Sequence, residues 1–233
     1  LSQSLVMAKP EEIGLVVTGQ LTNEEYESIL NTFVNTFKTK NVYHWFNNES
    51  DKDAFDGILI RGDKNPNTKG LQAAFAKHGI STTWSDLESK LNSKQIKHLV
   101  VFGPENTAVY KDIDAKVNLF TKAAQLAYFT SAKVASLKDS KNVQTGSVVI
   151  PLKTFVEKSG SFTNHAGKVQ AFKKATTIMS DALNGVEAAQ LLSGQEIQIQ
   201  FVPAENLFIA ENLRPDQVRL EHRKKNEFLF NKG

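Results

Sequence analysis

A chain of 233 residues, 40% apolar and 23% charged, is long enough to bury a sizeable core without disulfide or metal staples. Its 28 basic and 25 acidic residues leave a formal charge of only +3, and the cations are scattered, which does not suggest a nucleic-acid-binding surface. The chain has no cysteine, which excludes thiolate-held Fe–S clusters, cysteine zinc sites, disulfides and a cysteine nucleophile from this stretch.

Short apolar runs alternate with helical patterns along the N-terminal part. Ile13 to Thr18 is a compact apolar run closed by Gly19. Thr22 with Glu25 three residues later makes a capping box, and Tyr26, Ile29, Leu30, Phe33, Val34 and Phe37 then recur as one helical stripe. Val42 to Phe46 reads as a strand, as does Gly57 to Ile60. The polar stretch Asp63 to Gly70 has loop chemistry, and Leu71, Ala74, Phe75 and His78 follow with helical period. Ser81 to Thr83 offer caps for a helix marked by Trp84, Leu87 and Leu91. Leu99 to Phe102 is a strand stopped by Gly103-Pro104, Val109 to Phe120 is a weaker helical stretch, and Leu126 to Phe129 and Val148 to Ile150 are further strands.

Five or six such runs without strict alternation, separated by helices, predict an α/β domain over 10–151 with a mainly parallel sheet covered on both faces. Right-handed crossovers would make it doubly wound and Rossmann-like. Ligands in such folds bind beyond the carboxyl ends of the strands, which here are Thr18-Gly19-Gln20, Arg61-Gly62-Asp63, Gly103-Pro104-Glu105 and Thr130-Ser131. A small β/α extension over 152–210 follows. It contains an antiparallel pair (Ser161 to Asn164 and Gly167 to Phe172), an amphipathic helix from Asp181 to Leu192 and a strand with Ile197, Ile199 and Phe201. Residues 211–233, including Arg219 to Lys225, read as a charged tail, solvated or docking.

No run of about 18 apolar residues is present to span a bilayer as a helix. The chain opens at Leu1 rather than Met, without the charged and apolar regions of a signal peptide, which suggests a piece of a longer polypeptide. The first strand–helix loop, Gly19 to Asn23, has one glycine, and neither G-x-G-x-x-G nor G-x-x-x-x-G-K-[ST] occurs, so dinucleotide and ATP binding through the usual loops is disfavoured. Asn65, Asn67 and Thr68 could serve an anionic or pterin ligand, or simply form an Asn-Pro turn with Thr68 capping a helix. The five histidines are dispersed without metal spacing. Glu157 beside Lys158 suits a local ion pair or a backbone cap, and no catalytic constellation stands out.

One segment carries more. Ser147-Val148-Val149-Ile150-Pro151, then Phe155 to Asn164, then Gly167-Lys168-Val169-Gln170 resembles the V-V-L-P … F-x-E-K-x-G-T-F-T-N-x-E-G-R-V-Q signature of molybdopterin oxidoreductases and of the large iron–sulfur subunit of respiratory NADH:quinone oxidoreductase (complex I). Asp63 to Asn67 is similar to the G-x-N-P loop of that superfamily, and the likeness runs roughly from Phe55 to Gly194. The resemblance implies a vestigial molybdopterin site at Asn65, Asn67, Thr68, Thr163, Asn164 and Gln170. Ala166 stands where the signature has an acid, and only Lys168 keeps a positive charge there, which favours the branch of the complex I iron–sulfur subunit, whose fold holds no molybdenum cofactor. It thus implies a non-catalytic structural region with no cofactor of its own, supporting electron transfer through Fe–S clusters upstream of this chain. Its partners would be other subunits of a multi-subunit redox complex. It would be cytoplasmic and reach the inner face of the plasma membrane only through them. The alternatives are a molybdopterin-guanine-dinucleotide-binding region of a molybdenum-dependent, formate-dehydrogenase-like oxidoreductase, and a stand-alone protein-interaction domain.

Overall fold

The computed structural model describes residues 1–105, 107, 110–132, 137 and 147–195. Strand β1 (Ile13–Thr18) has every residue buried. It lies parallel to β2 (Val42–Trp45) on one side and to β3 (His98–Phe102) on the other. Strands β4 (Gln125–Thr130) and β5 (Val148–Pro151) continue the sheet in parallel, giving the order β2-β1-β3-β4-β5.

Because successive side chains of a strand point to opposite faces, β1 to β4 each feed two cores, whereas edge strand β5 leaves Val148 and Val149 exposed. Leu15 and Val17 join Val100, Phe102, Ala127 and Phe129 on one face, where the Phe102 and Phe129 rings stack at 4.8 Å. Val16 joins Tyr43, Trp45, Leu99, Val101 and Tyr128 on the other. Helices α1 (Ser2–Met7), α2 (Asn23–Leu30) and α3 (Thr68–Lys77) place Leu5, Tyr26, Ile29, Leu71 and Phe75 on the first face. Helices α4 (Trp84–Asn92) and α5 (Ile113–Phe120) cover the second with Leu87, Leu91, Val117 and Phe120. Burial on both faces is why β1, β3 and β4 read as apolar runs rather than alternations.

Local signals set several boundaries. The Thr22–Glu25 capping box starts α2, and the predicted stripe continues through a wider helical turn, Asn31–Thr36, keeping Phe33 buried. Beyond β5, β6 (Gly160–Thr163) and β7 (Val169–Phe172) form the expected antiparallel pair. Helix α6 (Gly185–Leu192) packs on the first face through Ala188, Ala189 and Leu192.

Four expectations change. Gly57 to Ile60 is not a strand: the Asp56 carboxylate accepts the N–H groups of Ile58, Leu59 and Ile60, curling them into a solvent-facing turn. Thr68 is the first residue of α3, and the cap position belongs to Asn67. Helix α5 starts at Ile113, with the preceding Asp112 accepting a hydrogen bond from the Trp45 indole at 3.3 Å. Helix α6 starts at Gly185 rather than near Asp181, because Asn184 and Glu187 form a capping box there. The strand expected around Ile197 to Phe201 and the tail at 211–233 lie outside the described residues.

The strand order turns back between β1 and β3, so the connections leaving their carboxyl ends diverge and leave a crevice there. Gly103 keeps this end of the sheet close-packed: a Cβ on it would lie 2.5 Å from the Tyr128 ring and hydroxyl. Gly103→Ala should therefore destabilise the fold by about 1–3 kcal/mol through overpacking, read as a lower urea midpoint at unchanged slope.

Candidate functional site at the switch point

Gln20 follows β1 and Glu105 follows β3, and the Gln20 side-chain oxygen accepts the Glu105 backbone N–H across the crevice. Lys158, from the loop after β5, reaches the same place. Its ammonium lies 2.9 and 3.1 Å from the two Glu25 carboxylate oxygens and 3.3 Å from Glu105. The Lys158 and Glu25 side chains are each 3% exposed and that of Glu105 19%. Glu25 also accepts the backbone N–H groups of Thr22 at 2.8 Å and Gly185 at 2.7 Å. One buried carboxylate thus ties the start of α2, the loop after β5 and the start of α6. Such a pair persists only when its lone pairs and protons are satisfied, as they are here. Burial disfavours the Lys158 charge, but Glu25 and Glu105 outweigh it and hold the ammonium above its ordinary value. Burial pushes the Glu105 carboxyl up, with Lys158 offsetting only part of the effect.

A second cluster lies beside it. The Asn67 amide is fully buried, donating to Leu21 O at 2.8 Å and to Asn23 Oδ1 at 3.1 Å. Its oxygen accepts the Thr163 backbone N–H at 2.8 Å. Asn23 donates to the hydroxyls of Ser161 and Thr163, both at 3.1 Å. Glu24 accepts Ser161 N–H at 2.9 Å and its hydroxyl at 2.7 Å. Burial opposes the Glu24 charge, yet these Ser161 bonds help hold its carboxyl below the ordinary value. Gly160 allows the close approach, since a Cβ there would lie 2.7 Å from the Thr22 methyl. The cluster clasps the β6–β7 hairpin to α2 and α3.

Asn67 and Thr163 are therefore in contact. Asn65 lies in the loop before α3, bonding Asn47 N and O at 2.8 and 3.1 Å and accepting the Tyr110 hydroxyl at 3.2 Å. Thr68 donates to Asp63, which Asn65 also contacts. Asn164 sits on the exposed hairpin turn, accepting Ala166 and Lys168 N–H groups and donating to Gln170. All six side chains have intramolecular partners. Glu157 caps backbone, accepting Ile178 and Met179 N–H groups at 2.7 Å, and its neighbour Lys158 pairs with Glu25 instead. Sequence reasoning missed Glu25, Glu24 and Asn23 as site residues, while Gln20 and Glu105 fall at two of the strand ends where a ligand is expected. Glu25 is visible only as a helix cap, and its partner lies 133 residues away.

Over these clusters opens a cleft of about 400 Å³, lined by Gln20, Pro66, Glu105, Thr154, Phe155 and Phe162. Its walls are two phenyl rings and a proline, and its polar groups are one amide, one hydroxyl and one carboxylate. Nothing in this lining pairs a nucleophile with a base. Among the described residues no group of three or more His, Cys, Asp or Glu could hold a metal ion, and no helix is long and apolar enough to cross a membrane. No protein-family model matches the chain, and comparison with curated proteins gives no match.

Removing the Lys158 charge strands Glu25. Lys158→Met should cost about 3–5 kcal/mol in chemical unfolding, and adding Glu25→Gln should recover part of it, because the uncompensated carboxylate is then gone. The pair also sets an alkaline limit. A lysine value raised on folding contributes fully below the ordinary 10.5 and loses that contribution as pH rises through its higher folded value. The unfolding free energy of the parent protein should thus fall above pH 10.5 more steeply than that of Lys158→Met, measured by urea titration across pH 9–12.

Proposed function

We propose that this chain is the C-terminal α/β region of a polypeptide like the large iron–sulfur subunit of an NADH:quinone oxidoreductase, acting as a non-catalytic scaffold. The observation that carries the reading is where the signature-like segment directs its side chains. The Lys158, Ser161 and Thr163 side chains bond Glu25, Glu24 and Asn23 of the same chain, and the Thr163 backbone N–H donates to Asn67. Polar residues turned on their own fold support a structural task rather than ligand capture. Kinship with Rossmann-like, doubly wound folds is part of this proposal, supported by the parallel order β2-β1-β3-β4-β5 and helices on both faces. Fe–S clusters would lie in sequence upstream, since this chain has no cysteine to ligate one. Electron transfer would run there, while this region braces the cluster-bearing part and meets neighbouring subunits at the cytoplasmic face of the membrane.

The molybdopterin-binding reading draws on one observation, the cleft at the switch point, where open α/β sheets hold ligands. The lining does not suit a pyrophosphate-bearing cofactor. It contributes the Glu105 carboxylate and no arginine, and the Lys158 ammonium behind it already faces two carboxylates.

Iron, molybdenum, tungsten and pterin content of the intact native polypeptide, purified with its partners, separates the readings. Iron without molybdenum, tungsten or pterin is the expected result. Stoichiometric molybdenum or tungsten with pterin would overturn the scaffold assignment, and no metal at all would point to a stand-alone interaction domain.

A further inference from the structure

The turn that replaces the expected strand has unusual surface chemistry. Ile58, Leu59 and Ile60 are 88%, 82% and 63% exposed in succession, and Phe55 beside them is 47% exposed. Single apolar side chains on a surface are ordinary, whereas a contiguous group marks a contact surface. The turn is also firmly built. Asp56 accepts the N–H groups of Ile58, Leu59 and Ile60 at 2.9, 2.8 and 2.9 Å, and its own N–H donates to Ile60 O at 3.1 Å. Gly62 N–H donates to Ala54 O at 2.7 Å, and the Arg61 guanidinium lies 4.2 Å from the Phe55 ring centre. The Ile58 N–H, then those of Leu59 and Ile60, hold the Asp56 carboxyl below its ordinary value. A tip shaped this way in advance loses little conformational freedom on docking.

We propose that Ile58-Leu59-Ile60 is a docking knob that inserts into an apolar, basic-rimmed pocket of a neighbouring protein subunit. That the neighbour is a subunit of the same complex rests on the scaffold reading; the chemistry of the pocket does not. Charge selects the occupant. From Glu49 to Lys64 the chain carries Glu49, Asp51, Asp53, Asp56 and Asp63 against Lys52, Arg61 and Lys64, although the whole chain is +3. Five carboxylates against three cations leave the stretch at a net −2, with Lys52 paired to Asp53 at 2.9 Å, Arg61 over Phe55 and Lys64 on Arg61 O at 2.6 Å. This acidic surround is repelled by anionic lipid headgroups and complements a rim of lysine or arginine. The same charge argues against a second copy docked knob to knob, which would set two acidic surrounds face to face. Four side chains at a tip cover on the order of 400 Å², short of the roughly 800 Å² per partner of a standard interface. The knob is then one anchor within a larger heterologous contact.

The test uses the full-length native assembly with a photoreactive benzoylphenylalanine in place of Leu59, alongside the Ile58→Ser/Leu59→Ser variant. The expected result is a crosslink to one protein, at apolar residues flanked by lysine or arginine, and at least tenfold weaker association with that protein in the serine variant. The thermal midpoint of the isolated variant should stay at the parent value, since these side chains lie in solvent. Crosslinks confined to lipid or to a second copy would overturn the proposal. So would variant-sensitive flotation with vesicles of phosphatidylcholine and phosphatidylglycerol, or unchanged association. A basic-rimmed partner outside any Fe–S assembly would keep the knob and remove the NADH:quinone oxidoreductase reading. An iron-bearing assembly indifferent to the serine variant would do the reverse.

Discussion

The pairing of Lys158 with Glu25 is the constraint on which the arrangement around the sheet's carboxyl end depends. Glu25 begins as a helix cap, bound to Thr22 N–H, a local duty that any capping carboxylate can perform in water. Packing then buries it, and a buried carboxylate must collect donors. It finds them in the Lys158 ammonium and in the first amide of α6. The loop after β5 and the last described helix are therefore positioned by the electrostatic need of one residue in α2. The α2–α6 packing through Ile29, Ala188 and Ala189 adds apolar area, which has no preferred orientation, and the carboxylate adds direction.

The neighbouring clasp works on the same logic, with the Glu24 carboxylate as its one charged member. Asn67 uses both ends of its amide, and Asn23 sits between it and the hairpin. Networks of this kind hold a geometry because each partner fixes the next, and because an unmet buried group is costly. A two-stranded hairpin has little stability of its own. Here Ser161 and Thr163 anchor β6, while β7 remains largely exposed.

How much of this is legible in the sequence follows from the range of each interaction. The apolar run at Ile13 to Thr18, the capping box at Thr22 and Glu25, and the Gly167-centred hairpin are local signals, and each appears where the residues place it. Gly57 to Ile60 misleads because a short apolar run reads the same for a strand and for an exposed turn. The deciding group is the Asp56 side chain, which bonds backbone that a strand would offer to the sheet. Asn67 and Thr163 stand out as polar residues in suggestive segments, but their 96-residue separation hides the contact between them. Glu25 and Lys158 are harder still, since each has a plausible local role, one as a cap and one beside Glu157.

The separation of those partners in the chain has a consequence for the order of assembly. During synthesis β1, α2 and β3 emerge well before Lys158, so the early sheet can pair while Glu25 is still hydrated as an ordinary cap. Contacts between distant parts of a chain form late, because loop closure must precede them. The arrival of Lys158 therefore acts as a completion signal. Until it docks, Glu25 has no counter-charge, and the apolar residues Leu183, Ala188 and Leu192 remain available to the wrong partners.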